Sequence, residues 1–235
     1  MKKYFAVLRS CPLFRGVAEE DLAAILGCLG AKVVRFAKRE TILSEGEPVR
    51  YVGIVLSGSV QVIQVDYFGN RSIVANLEPS ELFAESFACA GVKEMPVQVV
   101  ANEEDTAVLW IDHLRVTQPC GKDCGFHRKM IDNLLRIAAT KNLVFHQKVE
   151  ILSKRTTREK LMAYLMLQAK KNHTSSFTIP FDRQELADYL GVDRSGLSAE
   201  ISKLRKEGVI QSRRNHFELL WPVEGQVNEH AAHLK

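Results

Sequence analysis

The apolar residues of this chain change their spacing from one region to the next. Between residues 31 and 111 they form short β-branched runs separated by turn residues. The six runs are AKVVRF, YVGIVLSG, SVQVIQV, RSIVANL, VQVVAN and TAVLWI. Runs of this length and spacing predict an antiparallel barrel or jelly roll, and the absence of strand–helix–strand alternation argues against a parallel sheet. A short amphipathic helix is predicted before them, over Glu19–Leu29.

A single long helix is predicted next, over residues 126–152, with apolar residues alternating at spacings of four and three. This spacing is a heptad seam and predicts a two-stranded pairing, in which Asn142 at an a position would fix the register. The alternative is a helix that packs only on its own domain. A second stripe, Met130, Leu134, Ile137 and Val144, is expected to pack on the β domain. The residues of the predicted dimer seam are Ile131, Leu135, Ala138, Asn142, Phe145, Val149 and Leu152.

The stretch DRQELADYLGVDRSGLSAEISKLRKEG predicts two helices joined by a very short turn. Asp182 with Glu185 forms a capping box, and Gly191 supplies the left-handed residue that ends the first helix. Asp193 caps the second helix and Gly208 ends it. The arrangement is typical of a DNA-binding helix-turn-helix, whose second helix enters the major groove. The alternative is a helical hairpin that packs only within its own protein.

The residues after the second helix predict a two-stranded wing, VIQS and FELLW, around the basic turn at residues 213–216. Over residues 153–215 there are 13 Lys and Arg against 7 Asp and Glu, a balance of +6 in a chain whose total is +4. Positive charge is therefore concentrated where a phosphate backbone would need it. A solvated surface turn remains the alternative for the wing arginines.

The order of these parts resembles the Crp/Fnr family of transcription regulators. The resemblance covers nearly all of residues 5–221 and is carried by CPLFRGV, YVGIVLSGSVQV, FGNRSIV and IPFDRQELADYLGVDRSGLSAEISKLRKEGVI. It implies an α+β fold in four parts. The parts are a cyclic-nucleotide-binding-like double-stranded β-helix (jelly-roll) sensor domain at 1–125, a dimerisation helix at 126–152, a winged helix-turn-helix at 153–221 and a tail at 222–235. It also implies a bacterial, cytoplasmic homodimer on an inverted-repeat operator, with RNA polymerase as a candidate partner.

The candidate DNA-reading residues lie on the second helix. Arg194 suits a bidentate contact with guanine, whereas Ser195 stands where the family has Glu and Ala199 where it often has a second Arg. Lys203, Arg205 and Lys206 are assigned to phosphate or surface roles. The predicted DNA-binding set is Arg183, Arg194, Ser195, Ser198, Lys203, Arg213 and Arg214.

The β domain differs from cyclic-nucleotide-binding members of the family at the residues that would hold the phosphate. Glu85 matches the glutamate of the family's Gly-Glu-Leu signature. Met95-Pro96, however, stand where the family has an Arg-Ser pair that clamps the cyclic phosphate. Tight binding of cyclic AMP is therefore not expected, because a buried anion would lack its counter-ion. A small-molecule effector is instead predicted in a pocket carried over from the family. Its expected lining is Glu85, Met95, Val97, Asn133 and Ile137, although Met95 and Val97 could also be plain core.

A second candidate for sensing the signal is the group Cys120, Cys124 and His127, whose C-x3-C-x2-H spacing suits a metal site or a redox switch. Three ordinary side chains would look the same, and a haem ligand leaves no sequence pattern, so the cofactor stays unknown. Five cysteines, no leader pattern and no membrane-length apolar run indicate an intracellular protein. No constellation of nucleophile and base supports an enzyme. A ligand or interaction module that does not bind DNA is the remaining alternative class.

Overall fold

The computed structural model describes residues 2–118 and 125–220. The chain divides into two compact units, and the boundary between them falls after Val144, inside a continuous long helix. The first unit combines a β-roll with helices and the second combines three helices with a small sheet. The predicted α+β fold class is confirmed. None of the helices in the described ranges has both the length and the apolar character needed to cross a bilayer.

The strands of the first unit are β1 Lys32–Phe36, β2 Thr41–Leu43, β3 Tyr51–Ser57, β4 Val60–Val65, β5 Arg71–Leu77, β6 Leu82–Phe83, β7 Gln98–Ala101 and β8 Thr106–Asp112. They pair antiparallel in two four-stranded sheets, ordered β1-β8-β3-β6 and β2-β7-β4-β5. The six runs predicted from the sequence are all strands, and two short strands, β2 and β6, join them.

Strand β3 is apolar without interruption because both faces of its sheet are covered. Ile54 and Leu56 enter the cluster formed with the N-terminal helices, whereas Val55 points into the cluster between the two sheets. A β-carbon at Gly53 would lie 2.1 Å from the ring of Phe83, so only glycine allows this ring to fill the roll interior.

The helices of the first unit pack on one sheet. They are α1 Phe5–Ser10, α2 Glu19–Cys28, α3 Glu85–Cys89, α4 His113–Thr117 and the first part of α5, Gly125–Leu152. On α5, the predicted inward stripe is confirmed at Met130, Leu134 and Ile137, which are all buried. It was wrong at Val144, which is 54% exposed.

The second unit holds α6 Thr157–Asn172, α7 Arg183–Leu190 and α8 Arg194–Lys206, with strands β9 Ser176–Thr178, β10 Ile210–Arg213 and β11 His216–Leu219. The strands pair in the order β10-β11-β9. Arg158 on α6 bridges to Glu200 at 3.5 Å and to Glu207 at 2.6 Å, so α6 holds both the middle and the C-terminal end of α8. These contacts fix the helix that the sequence assigns to the DNA groove.

Candidate nucleic-acid interface

Local capping sets the ends of α7 and α8. The Glu185 N–H donates to Asp182 Oδ1 and the Asp182 N–H donates to Glu185 Oε2, both at 2.8 Å, which is the predicted capping box. Gly191 ends α7 with φ +59°. Asp193 Oδ2 then accepts from the Gly196 N–H at 2.8 Å and starts α8. The two helices are therefore separated by three residues, as the sequence predicted.

The inner face of α8 is apolar and its first turn faces solvent. Leu197, Ile201 and Leu204 are buried, whereas Arg194 and Ser195 are exposed and Ser198 is half-buried. The Ser195 hydroxyl donates to the Asp193 carboxylate and so belongs to the helix cap. Its oxygen can still accept a hydrogen bond, but its proton is engaged within the protein. Arg194 is therefore the long side chain at the start of α8 that can donate hydrogen bonds outward.

Arg183 of α7 lies near Arg194 of α8 and contacts the backbone of the wing turn. The Arg183 guanidinium, at the start of α7, lies 5.8 Å from the centroid of the Phe217 ring, and its Nη2 donates to the Arg214 carbonyl at 3.4 Å. Burial and the nearby charge of Arg194 hold the pKa of Arg183 below its usual range. Within the described ranges, no carboxylate is ion-paired with Arg183, Arg194 or Arg214. The neighbouring like charges of Arg183 and Arg194 favour an external anion.

The predicted wing is present as the hairpin β10–β11. Arg213 and His216 face each other across it, and Arg214 in its turn has φ +55°. The turn is anchored because Asn215 Nδ2 donates to the Ile179 carbonyl at 3.0 Å and the Ile179 N–H donates to the Asn215 carbonyl at 2.9 Å. Arg213 and Arg214 remain exposed. The wing therefore presents two arginines from a fixed turn.

A groove of about 630 Å³ lies between the C-terminal half of α8 and the wing. Its basic lining comes from Arg205 and Lys206 of α8 and from Arg213 and His216 of the wing, with Glu218 as its acid. Arg205 and Lys206 were assigned to phosphate or surface roles by the sequence, but only the fold places them opposite the wing. At 100° per residue, Lys203 lies on another side of α8, where its charge acts on Glu207.

The residues expected to line an effector pocket are all buried but belong to different clusters. Met95 and Val97 pack between the two sheets, and Ile137 packs with the N-terminal helices. Asn133 Nδ2 donates to the carbonyls of Leu13 and Arg15, at 3.0 and 2.9 Å, and so secures the N-terminal segment to α5. Glu85 is 2% exposed and is ion-paired with Lys141. Their role toward an effector stays a prediction.

The candidate metal or redox cluster is only partly described. Cys120 and Cys124 lie outside the described residues. His127 is buried at the start of α5, with Nε2 at 3.2 Å from the Arg115 carbonyl and its ring stacked on Phe126. Within 2–118 and 125–220, no group of three or more His, Cys, Asp or Glu side chains is arranged to hold a metal ion.

The predicted dimer seam is exposed on α5. All seven of its residues are exposed, with Leu135 at 70% and Val149 at 64%. A run of large apolar side chains in water along one helix is unusual for a helix that packs only on its own chain.

A β-roll joined through a long helix to a winged helix-turn-helix, with Arg194 exposed on the first turn of α8, defines a DNA-binding regulator. The model of the cyclic nucleotide-binding domain matches residues 33–122, and that of the Crp-like helix-turn-helix domain matches residues 159–222. The chain belongs to the Crp/Fnr family of transcription regulators.

Relatives in sequence and structure agree with this assignment. The transcriptional activator protein FnrL of Cereibacter sphaeroides is 24% identical over 191 residues, which is 73% of this chain and 69% of FnrL. The structure of FixK2 from Bradyrhizobium japonicum matches with a TM-score of 0.64 at 22% identity, covering 80% of this chain and 92% of FixK2. The c-di-GMP-responsive regulator CLP of Xanthomonas campestris matches with a TM-score of 0.64 at 17% identity, covering 85% and 100%.

Proposed function

We propose that the chain binds an inverted-repeat site in double-stranded DNA as a homodimer and regulates transcription in response to a signal received by the β-roll. The observation that carries the proposal is the pair of neighbouring charges of Arg183 and Arg194 at the exposed first turn of α8, with Arg183 held against the wing by Phe217 and the Arg214 carbonyl. Arg194 reads a base edge in the major groove, as a helix of this kind does with its N-terminal residues.

The wing and the groove act on the phosphate backbone. Arg205, Lys206 and Arg213 line one groove that can follow a strand flanking the major groove. Contacts of this kind supply affinity that falls steeply with salt, whereas Arg194 supplies sequence preference. Ser195 and Lys203 contribute less to base readout, because the first is engaged in the cap and the second lies off the groove.

The exposed seam on α5 supports the proposed dimer. Burying large apolar side chains such as Leu135 against a second copy removes them from water. Asn142 lies within this seam, where paired amides would fix the register of the two helices. A two-fold pairing of helix-turn-helix domains matches an inverted repeat.

We infer that the signal is not cyclic AMP. Met95 stands where the family has its phosphate-clamping arginine, and its side chain is 1% exposed among apolar neighbours. A phosphate there would meet a thioether rather than a guanidinium. The CLP regulator is named for a response to cyclic di-GMP and the FixK proteins for nitrogen fixation, so the shared fold leaves the signal open. Regulation through Cys120, Cys124 and His127 stays a second candidate for the signal.

The test is DNA binding measured by fluorescence anisotropy, with the upstream region of the chain's own gene and an unrelated duplex at two salt concentrations. We expect sequence-selective binding that weakens as salt rises, and a loss of roughly tenfold or more in affinity on Arg194→Ala. Lys171→Ala, an exposed charge change at the end of α6, is the matched control and is expected to bind as the parent does. No salt-dependent binding to either duplex would instead support an interaction module that does not bind DNA.

A further inference from the structure

A lysine of the long helix reaches the buried carboxylate of the β-roll. Lys141 Nζ lies 2.8 Å from Glu85 Oε1 and donates to the Leu82 carbonyl at 2.5 Å. The Glu85 side chain is 3% exposed and that of Lys141 is 26% exposed. The Ser86 hydroxyl also donates to Glu85 Oε1, at 3.1 Å. The ion pair therefore links α5 to the start of α3 inside the first unit.

Lys141 lies where the inward stripe of α5 would place an apolar residue. It follows Met130, Leu134 and Ile137 at the spacing of four, three and four that brings residues to one side of a helix. The three apolar residues are buried, and Lys141 continues their side of the helix. A lysine is tolerated there because its ammonium meets a carboxylate and a backbone carbonyl rather than apolar side chains.

The backbone around Glu85 is held in an unusual conformation. Ala84 has φ +63°, a region that L side chains rarely adopt. The ring of Phe83 fills the space above Gly53 and meets Trp110 edge to face at 5.4 Å. Within the described ranges, Glu85 Oε2 has no hydrogen-bond partner. The carboxylate is thus buried and partly satisfied, and its described counter-ion is Lys141.

We propose that Lys141 is a positioning residue: it is the internal counter-ion of Glu85 and sets α5 against α3 without a bound ligand. A ligand that used the Glu85 carboxylate would have to compete with Lys141 or be confined to Oε2. The roll would then transmit its signal by changing how firmly this pair holds α5. The consequence for DNA binding rests on the proposed function, whereas the consequence for α5 itself does not.

The experiment compares hydrogen exchange of peptides covering α3 and residues 130–144 in the full chain. In Lys141→Met the Glu85 carboxylate loses its cation, so exchange in both segments is expected to rise about tenfold and Tm to fall by roughly 5–15 °C. Lys141→Arg keeps the charge and is expected to exchange like the parent. The matched control is Arg9→Met, which breaks the exposed pair Arg9–Glu19 of the same unit and leaves both segments unchanged.

Two further variants keep the test decisive if Lys141→Met does not fold. Glu85→Gln retains the shape and an acceptor oxygen, and is expected to raise exchange in residues 130–144. The double variant Glu85→Gln with Lys141→Met has no charge left at this buried pair, so its Tm is expected to recover. Its exchange in α5 is expected to stay altered, and its affinity for DNA is expected to differ from that of the parent by about fivefold or more. Parent-like exchange in Glu85→Gln would overturn the proposal, as would full recovery of exchange in the double variant. Altered exchange with unaltered DNA affinity would support the role of Lys141 in holding α5 and place the failure in the proposed control of DNA binding by the β-roll.

Discussion

The guanidinium of Arg183 lies over the ring of Phe217, 5.8 Å from its centroid, and so ties the first residue of α7 to the wing. Phe217 is fully buried, and Arg183 also donates to the Arg214 carbonyl in the wing turn. The position of the wing relative to α7 therefore depends on a charged side chain that also belongs to the predicted DNA-binding set.

Replacing Arg183 is expected to affect both the position of the wing and the charge available to DNA. Arg183→Ala removes the contact with Phe217 and one phosphate-facing charge, so the affinity for DNA should fall by about 1–2 kcal/mol and the salt dependence by about one counter-ion. Arg183→Lys keeps the charge and should keep the salt dependence. Anisotropy titrations at several salt concentrations measure both. A parent-like salt dependence in the alanine variant would mean that Arg183 does not face phosphate.

Substitutions of Arg194 and of Arg205 are expected to affect DNA binding in different ways. Arg194→Ala should cost roughly 1–3 kcal/mol on the native operator and relax the preference at one base position, since a base contact is lost. Arg205→Ala should weaken binding about equally on all sequences, because it removes a phosphate contact. A selection from randomised half-sites separates the two. An unchanged preference in Arg194→Ala would show that the register assigned to α8 is wrong.

The seam on α5 is expected to control assembly. Leu135→Asp places two carboxylates across the pairing of two copies, so the protein should become monomeric in analytical ultracentrifugation. Its affinity for an inverted repeat should then fall by at least about tenfold. Thr140→Asp adds the same charge on another side of α5, where the residue is exposed, and should leave the dimer intact. A dimer that survives Leu135→Asp would exclude this seam.

Lys148 is expected to give the stability a dependence on alkaline pH. Burial lowers the pKa of Lys148 to about 8, and its ammonium lies 4.1 Å from the centroid of the Tyr189 ring. The unfolded chain holds this proton up to the ordinary lysine pKa of 10.5, so it binds more protons than the native state between pH 8 and 10.5. The free energy of unfolding should therefore rise with pH in this window.

The measurement is best confined below about pH 10, since burial raises the pKa of Tyr164 and Tyr189 and their ionisation in the unfolded chain acts in the opposite direction. Thermal unfolding followed by circular dichroism should show the rise in the parent and a flatter profile in Lys148→Met. The same slope in both proteins would mean that Lys148 is not its source.

Cyclic AMP is expected to leave the protein unaffected. Calorimetric titration of the ligand-free protein should give no saturable heat, because Met95 provides no charge for the cyclic phosphate. The same titration with Met95→Arg serves as the comparison. Micromolar affinity of the parent chain would overturn the inference.

Local interactions explain why so much of the DNA-binding unit could be predicted. The capping box of α7 joins residues three apart, and the stripes of α5 and α8 follow the turn of the helix. The short strands β2 and β6 were not predicted, because two or three residues carry too little pattern. The fourth inward position assigned to Val144 was wrong, because helical spacing gives the direction of a side chain and not the extent of the surface that it meets.

The sequence by itself determined the kind of protein: six strand-forming runs, a heptad helix and a capped helix-turn-helix in that order, each specified by contacts within a few residues. Only the tertiary structure decided which side chains from distant segments meet. Glu85 with Lys141, Arg183 with Phe217, and Arg205 with the wing are brought together by strand pairing and helix packing between distant segments. Such pairs have no periodicity along the chain, so the surfaces that read DNA and hold α5 appear only when the chain is folded.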